Sequence, residues 1–127
     1  MSPDKRYFVY YVTFELEAED NGVWLLDLEQ LPLRPQKLPY FGTYRWRDNQ
    51  NLIYIPFDPT ATEHNFHEYN LVTQETRPLF PAGTDLMIAN NEWQVSPDGT
   101  KIMVLAANGS NLDGLWLLNI IGSEQLP

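Results

Sequence analysis

The feature that most constrains this chain is an internal repeat written in strand-forming residues. Residues 93–120, WQVSPDGTKIMVLAANGSNLDGLWLLNI, hold a turn at Ser96-Pro97-Asp98-Gly99, an apolar run from Ile102 to Ala107, a polar loop and a second apolar run from Leu115 to Ile120. Residues 2–28, SPDKRYFVYYVTFELEAEDNGVWLLDL, repeat that order and end in Gly22-Val23-Trp24-Leu25-Leu26, against Gly114-Leu115-Trp116-Leu117-Leu118. Short apolar runs bounded by Pro, Asn, Asp and Gly predict strands joined by turns. Ser2 and Ser96 are 94 residues apart, whereas Trp24 and Trp116 are 92 apart, so the first copy carries two more residues in its loop. Surface loops tolerate such insertions at little entropic cost. Half of that distance predicts a third, degenerate copy in the middle. Trp46 lies 47 residues before Trp93, and each precedes a turn and an apolar strand, Leu52 to Phe57 and Ile102 to Ala107. A strand repeat of this length matches one four-stranded propeller blade.

The third strand of each copy can be compared position by position. Trp24, His67 and Trp116 share one slot, Leu26, Tyr69 and Leu118 the next on the same face, and Leu28, Leu71 and Ile120 complete it. The other face holds Val23, Phe66 and Leu115, then Leu25, Glu68 and Leu117, then Asp27, Asn70 and Asn119. Successive strand residues point to opposite faces, so two of the three strands are apolar on both sides before turning polar. That pattern requires cover on both sides, as in a sheet wedged between two others. The middle strand, carrying His67 and Glu68, is expected to be the more exposed one.

Read in order, Tyr7 to Phe14 is β-favouring, residues 15–22 form an acidic loop closing on Asn-Gly, and Val23 to Leu28 is the next strand. Gln30 to Lys37, with two prolines, is expected along a sheet edge, where a missing N–H costs least. A short strand should end by Tyr40 and a new one begin after Gly42. Leu52 to Phe57 follows, with Pro56 signalling a bulge or an early end. Strands are then expected over Phe66 to Leu71, Thr76 to Phe80 and Leu86 to Val95. No segment carries a helical period. The predicted fold is all-β: about two and a half to three four-stranded antiparallel propeller blades, spanning residues 1–40 (without its first strand), 41–82 and 83–127.

The residues that carry the repeat resemble a known family. WQVSPDGTKI with GLWLLNI, SPDKRYFVYYV with GVWLLDL, and EYNLVTQETRPLF look like the WD40-like repeats of TolB-type β-propellers. Similar propellers precede the catalytic domain in prolyl-oligopeptidase-type serine peptidases. The resemblance spans nearly the whole chain, with departures at Asp4-Lys5, which stands for Asp98-Gly99, and at Arg47-Asp48-Asn49-Gln50, which lacks Ser-Pro. It implies a docking platform, a gating domain beside a hydrolase, or more rarely a polysaccharide lyase. A fold of this kind does not fix a function.

Composition narrows the chemistry. The 127 residues suit one domain, and 43% hydrophobic with 13% aromatic residues argue against disorder. There is no cysteine, which excludes a disulfide framework, a thiolate nucleophile and cysteine metal ligands. A net charge of -9 argues against a nucleic-acid partner, whose phosphates demand basic groups. No apolar signal core follows Pro3, Asp4 and Lys5, and no run reaches the roughly 18 apolar residues of a membrane helix, so no membrane association is expected. The compartment is left open.

Catalytic sets are nearly absent. None of Ser2, Ser96, Ser110 and Ser123 sits in G-x-S-x-G. The two histidines lie in Glu63-His64-x-x-His67-Glu68, which invites a metal reading through His64, His67 and Glu63. Residues three apart on a strand face opposite ways, so that set needs His64 in the preceding loop. The plainer reading makes His67 a packing residue in the slot of Trp24 and Trp116. The Ser-Pro-Asp-Gly turn needs no ligand: Pro97 sets φ, Asp98 accepts backbone N–H bonds and Gly99 takes the left-handed conformation. Arg45 and Arg47, flanking Trp46, read as one face of a strand. Asn108-Gly109-Ser110 matches a glycosylation acceptor, a short and unspecific pattern.

The acidic residues Glu17, Glu19 and Asp20, with Asp113 in the equivalent loop of the third copy, are the candidate partner-docking edge; no cofactor is implied. The expected function is a non-catalytic propeller segment serving as an interaction or scaffold surface. The alternatives are an accessory or gating portion of a serine peptidase or other hydrolase, and a carbohydrate- or small-ligand-binding propeller. About three blades fall short of the roughly 4–8 in closed single-chain propellers. The chain is therefore expected to be a piece of a larger propeller, to assemble as a homo-oligomeric ring, or to form an open stack with exposed apolar ends. Its partner would be another protein or the remainder of the same propeller.

Overall fold

Each repeated apolar run becomes one arm of a hairpin. The structure, a computed structural model of the chain, describes residues 1–13, 16–80, 86–107 and 114–120. In the first repeat β1 (Tyr7–Val12) pairs antiparallel with β2 (Gly22–Asp27), and β3 (Gln36–Lys37) adds to β2. The second repeat runs β4 (Gly42–Trp46), β5 (Asn51–Pro56), β6 (His67–Asn70) and β7 (Thr76–Pro78) in sequential order. The third contains β8 (Ile88–Val95), β9 (Lys101–Ala106) and β10 (Gly114–Asn119). Among the described residues the only helical segment is a 3-10 turn at Ala18–Asp20. The fold is all-β, and the described residues form three antiparallel sheets of three, four and three strands, consistent with partial propeller-like blades.

The slots aligned in the sequence are equivalent in the hydrogen-bonded register. Asp27 faces Tyr7, Asn70 faces Asn51 and Asn119 faces Lys101. Three residues along, Trp24 faces Tyr10, His67 faces Tyr54 and Trp116 faces Val104. The bond that closes each hairpin also recurs: the N–H groups of Leu28, Leu71 and Ile120 donate to the carbonyls of Arg6, Gln50 and Thr100, each at 2.8 Å.

The turns repeat in the same detail. Ser2 Oγ donates to Asp4 Oδ1 at 2.7 Å and accepts the Tyr7 N–H, as Ser96 Oγ donates to Asp98 Oδ1 at 2.7 Å and accepts the Lys101 N–H. Asp98 also accepts both the N–H and the hydroxyl of Thr100. Hydrogen bonds from Ser96 and Thr100 hold its carboxyl at about 2. Lys5, where the third copy has glycine, takes φ 63° against 73° for Gly99. Gly99 gains from lacking a side chain, because its Cβ would stand 3.0 Å from the carbonyl oxygen of Arg47 in the next sheet. Turn-making accounts for both aspartates.

The second sheet lies between the other two, and each of its faces seals one core. Tyr7, Val9, Val23 and Leu25 of the first sheet pack with Leu52, Tyr54 and Tyr69 of the second. From its opposite face Ile53, Ile55 and Phe66 pack with Trp93, Ile102 and Val104 of the third. Leu52 to Ile55 are consequently all buried. Polar bonds cross both junctions: Tyr44 Oη donates to the Val9 carbonyl at 2.9 Å, and Arg47 Nε to the Gly99 carbonyl at 2.8 Å. Arg45 lies over the Trp93 ring at 4.7 Å, so both arginines beside Trp46 serve the joint between sheets.

One expectation is overturned. The middle strand is not the exposed one: in β6 Glu68 and Tyr69 are buried, whereas Leu115, Trp116 and Leu117 of β10 are exposed. Position in the stack, not the polarity of one strand, decides exposure. Boundaries also shift. The strand expected to end by Tyr40 stops at Lys37, although the Leu38 N–H still reaches the Val23 carbonyl. β5 ends at Pro56, the early end its proline signalled.

Candidate interaction surface

The outer faces of the first and third sheets are where the repeat leaves work undone. The face that each sheet turns toward the following one carries four equivalent slots. These hold Val9, Tyr11, Val23 and Leu25 in the first sheet; Ile53, Ile55, Phe66 and Glu68 in the second; and Met103, Leu105, Leu115 and Leu117 in the third. The second-sheet set is buried, with Ile53 at 0% and Phe66 at 2% exposure. In the third sheet the same slots lie in solvent, with Leu115 at 69% and Leu117 at 59%. The reverse face behaves symmetrically. Leu52 and Tyr54, and likewise Ile102 and Val104, are covered by the preceding sheet, while Phe8 is exposed and Tyr10, Trp24 and Leu26 are half-buried.

β2 and β10 thus carry apolar residues on two faces, and the described structure covers one face of each. A shallow depression of 270 Å³ on the third sheet is bordered by Asn90, Gln94, Met103, Leu105 and Leu115. No charged side chain occupies the four slots at either end of the stack.

The acidic loop borders the first sheet's outer face at Trp24. Glu17, Glu19 and Asp20 are exposed around the 3-10 turn. The turn is fixed through its backbone: Lys37 Nζ donates to the Glu19 carbonyl at 2.8 Å and Trp24 Nε1 to the Asp20 carbonyl at 2.9 Å. Asp113 lies outside the described residues. The structure therefore places three of the four candidate docking residues on one solvated loop, beside a cleft of 640 Å³ bordered by Gly22, Lys37, Leu38 and Tyr40.

His64 and His67 separate into different jobs. His64 precedes β6, as the metal reading requires, but its Nδ1 accepts the Ile88 N–H at 2.8 Å, which ties the loop to the third sheet. Burial lowers its pKa below the usual 6.5. His67 stacks on Tyr54 with ring centroids 5.5 Å apart, and Glu63 is half-buried. Among the described residues no group of three or more His, Asp or Glu side chains is arranged to hold a metal ion.

Sequence reasoning missed one cluster. Glu68, 6% exposed, accepts Arg47 Nη1 at 2.6 Å and Arg77 Nε at 3.0 Å. It fills the slot of Leu25 and Leu117, so two guanidinium groups are what allow a carboxylate to stand there. The available signal was an acidic residue alone in an otherwise apolar slot. Among the described residues no helix is long and apolar enough to cross a membrane. Comparison with protein-family models, with curated proteins and with solved structures found no match to this chain.

Proposed function

We propose that this chain is a β-propeller segment whose uncovered sheet faces form a protein-interaction surface, and that it performs no chemistry of its own. The resemblance to TolB-type repeats supports the propeller part, through the Ser-Pro-Asp turns and the Gly-Val-Trp-Leu-Leu and Gly-Leu-Trp-Leu-Leu strands. One observation carries the functional part: β10 is apolar on both faces, yet Leu115 and Leu117 meet solvent in slots that the second sheet buries. Burying a leucine side chain contributes about 2 kcal/mol, so a surface of this composition favours a partner over water. The absence of cysteine and of a clustered metal-ligand set among the described residues is compatible with binding as the activity.

The test compares the same face of two sheets in dilute solution. Leu117→Lys should change stability by no more than about 0.5 kcal/mol, as a solvated position does. Ile53→Lys, on that face of the second sheet where the third covers it, should abolish the cooperative urea transition. Equal loss in both variants would mean that the third sheet's outer face is core, and the interaction reading would fall.

A further inference from the structure

We infer that the partner for these faces is a second copy of this chain, bound head to tail, with the third sheet of one protomer packed on the first sheet of the other. The inference rests on the reading of the outer faces as interaction surfaces and names their occupant. Its warrant is that the chain already makes this contact twice within itself. The junction between the first and second sheets sets Tyr7, Val9, Val23 and Leu25 against Leu52, Tyr54 and Tyr69, and the junction between the second and third sets Ile53, Ile55 and Phe66 against Ile102 and Val104. The uncovered faces offer the equivalent slots, one at each end. The third sheet presents Met103, Leu105, Leu115 and Leu117, and the first presents Phe8, Tyr10, Trp24 and Leu26.

Register equivalence makes these faces continuous with the established sheet-to-sheet interfaces. Leu115 stands where Phe66 faces the third sheet, and Phe8 stands where Leu52 faces the first. The four slots at each end carry no charge, while Lys37 stands opposite Trp24 beside those of the first sheet and Glu92 borders the depression on the third.

Contacts between unlike faces are heterologous, and they end either in closed rings or in open filaments. Two copies with three sheets each close at six, within the roughly 4–8 blades of known propellers, while three copies exceed that range. A closed pair buries both faces of both copies. Each copy carries a net charge of -9, so added salt should tighten the pair by screening their repulsion.

Native mass spectrometry and light scattering on the 127-residue chain test this directly. A species of twice the 14.8 kDa chain mass is expected, more populated at high salt. Leu117→Lys blocks one face and Phe8→Asp the other, and each variant alone should be monomeric. Mixed together they should recover a 1:1 complex through their one intact pair of faces. Leu115→Lys and Leu26→Asp repeat the design, and far-UV circular dichroism confirms that each variant is folded. A dimer that survives Phe8→Asp means like faces meet, and overturns the head-to-tail arrangement. A ladder of three or more copies overturns the two-copy ring. A wild-type chain that stays monomeric at every concentration and salt overturns self-association. If Leu117→Lys is still tolerated in that case, the interaction surface stands and only its occupant is wrong.

Discussion

Replacing Glu68 with leucine isolates the energetics of the charge cluster that the second sheet carries on its face toward the third. Leucine suits the slot, since Leu25 and Leu117 occupy its equivalents. The cost falls on Arg47, whose side chain is 17% exposed and would keep only the Gly99 carbonyl as partner. Removing one member of a buried ion pair costs about 3–5 kcal/mol. Arg77 adds little, because a side chain 36% exposed is largely screened by water. Leucine's own burial returns roughly 1–2 kcal/mol. The net expectation is a loss of about 2–3 kcal/mol. With a urea slope of roughly 1–3 kcal/mol/M, the midpoint should fall by about 1–2 M. The double variant Glu68→Leu/Arg47→Met removes the stranded charge as well. It should recover to within about 1 kcal/mol of wild type, the residual being the lost bond to Gly99. The coupling from the full cycle should be about 1–3 kcal/mol. A neutral Glu68→Leu, or a double variant that loses the sum of the two singles, would refute this account of the slot.

Two further outcomes follow from the geometry. At Gly42 an added Cβ would run into the carbonyl oxygen of Ile55 and stand 2.9 Å from its carbonyl carbon, both backbone atoms of the paired strand. Gly42→Ala should therefore cost at least about 2 kcal/mol in urea unfolding, and a loss below about 0.5 would show that β4 and β5 part without strain. His64 must be neutral to accept the Ile88 N–H, and burial holds its folded pKa below 6.5. The unfolded chain takes up that proton first. Stability is then complete above about pH 6.5 and declines as pH falls toward the folded value. Urea midpoints across pH 5 to 8 should show that decline, and His64→Gln should flatten it; a slope unchanged in the variant would assign it to other groups.

Much of the architecture was legible in the chain because its carriers are local. The Ser-Pro-Asp turns fix their own backbone through a serine and an aspartate two residues apart. The hairpin register follows from those turns and from the period-two pattern, which is why Trp24, His67 and Trp116 could be aligned from spacing alone. Glu68 was misjudged for a physical reason: a carboxylate in one strand reads as exposed until its cations are found. Arg47 and Arg77 reach it only once β5 and β7 are paired on either side of β6.

By itself, then, the sequence determined three sheets, their strand order and which side chains share a face, because turns and alternation act within a few residues. Which of those faces is covered was decided only by stacking. An apolar face states a need for a neighbour, and whether that neighbour is present depends on residues far away in the chain. Here Leu52 to Ile55 found one on each side, and among the described residues Leu115 and Leu117 did not.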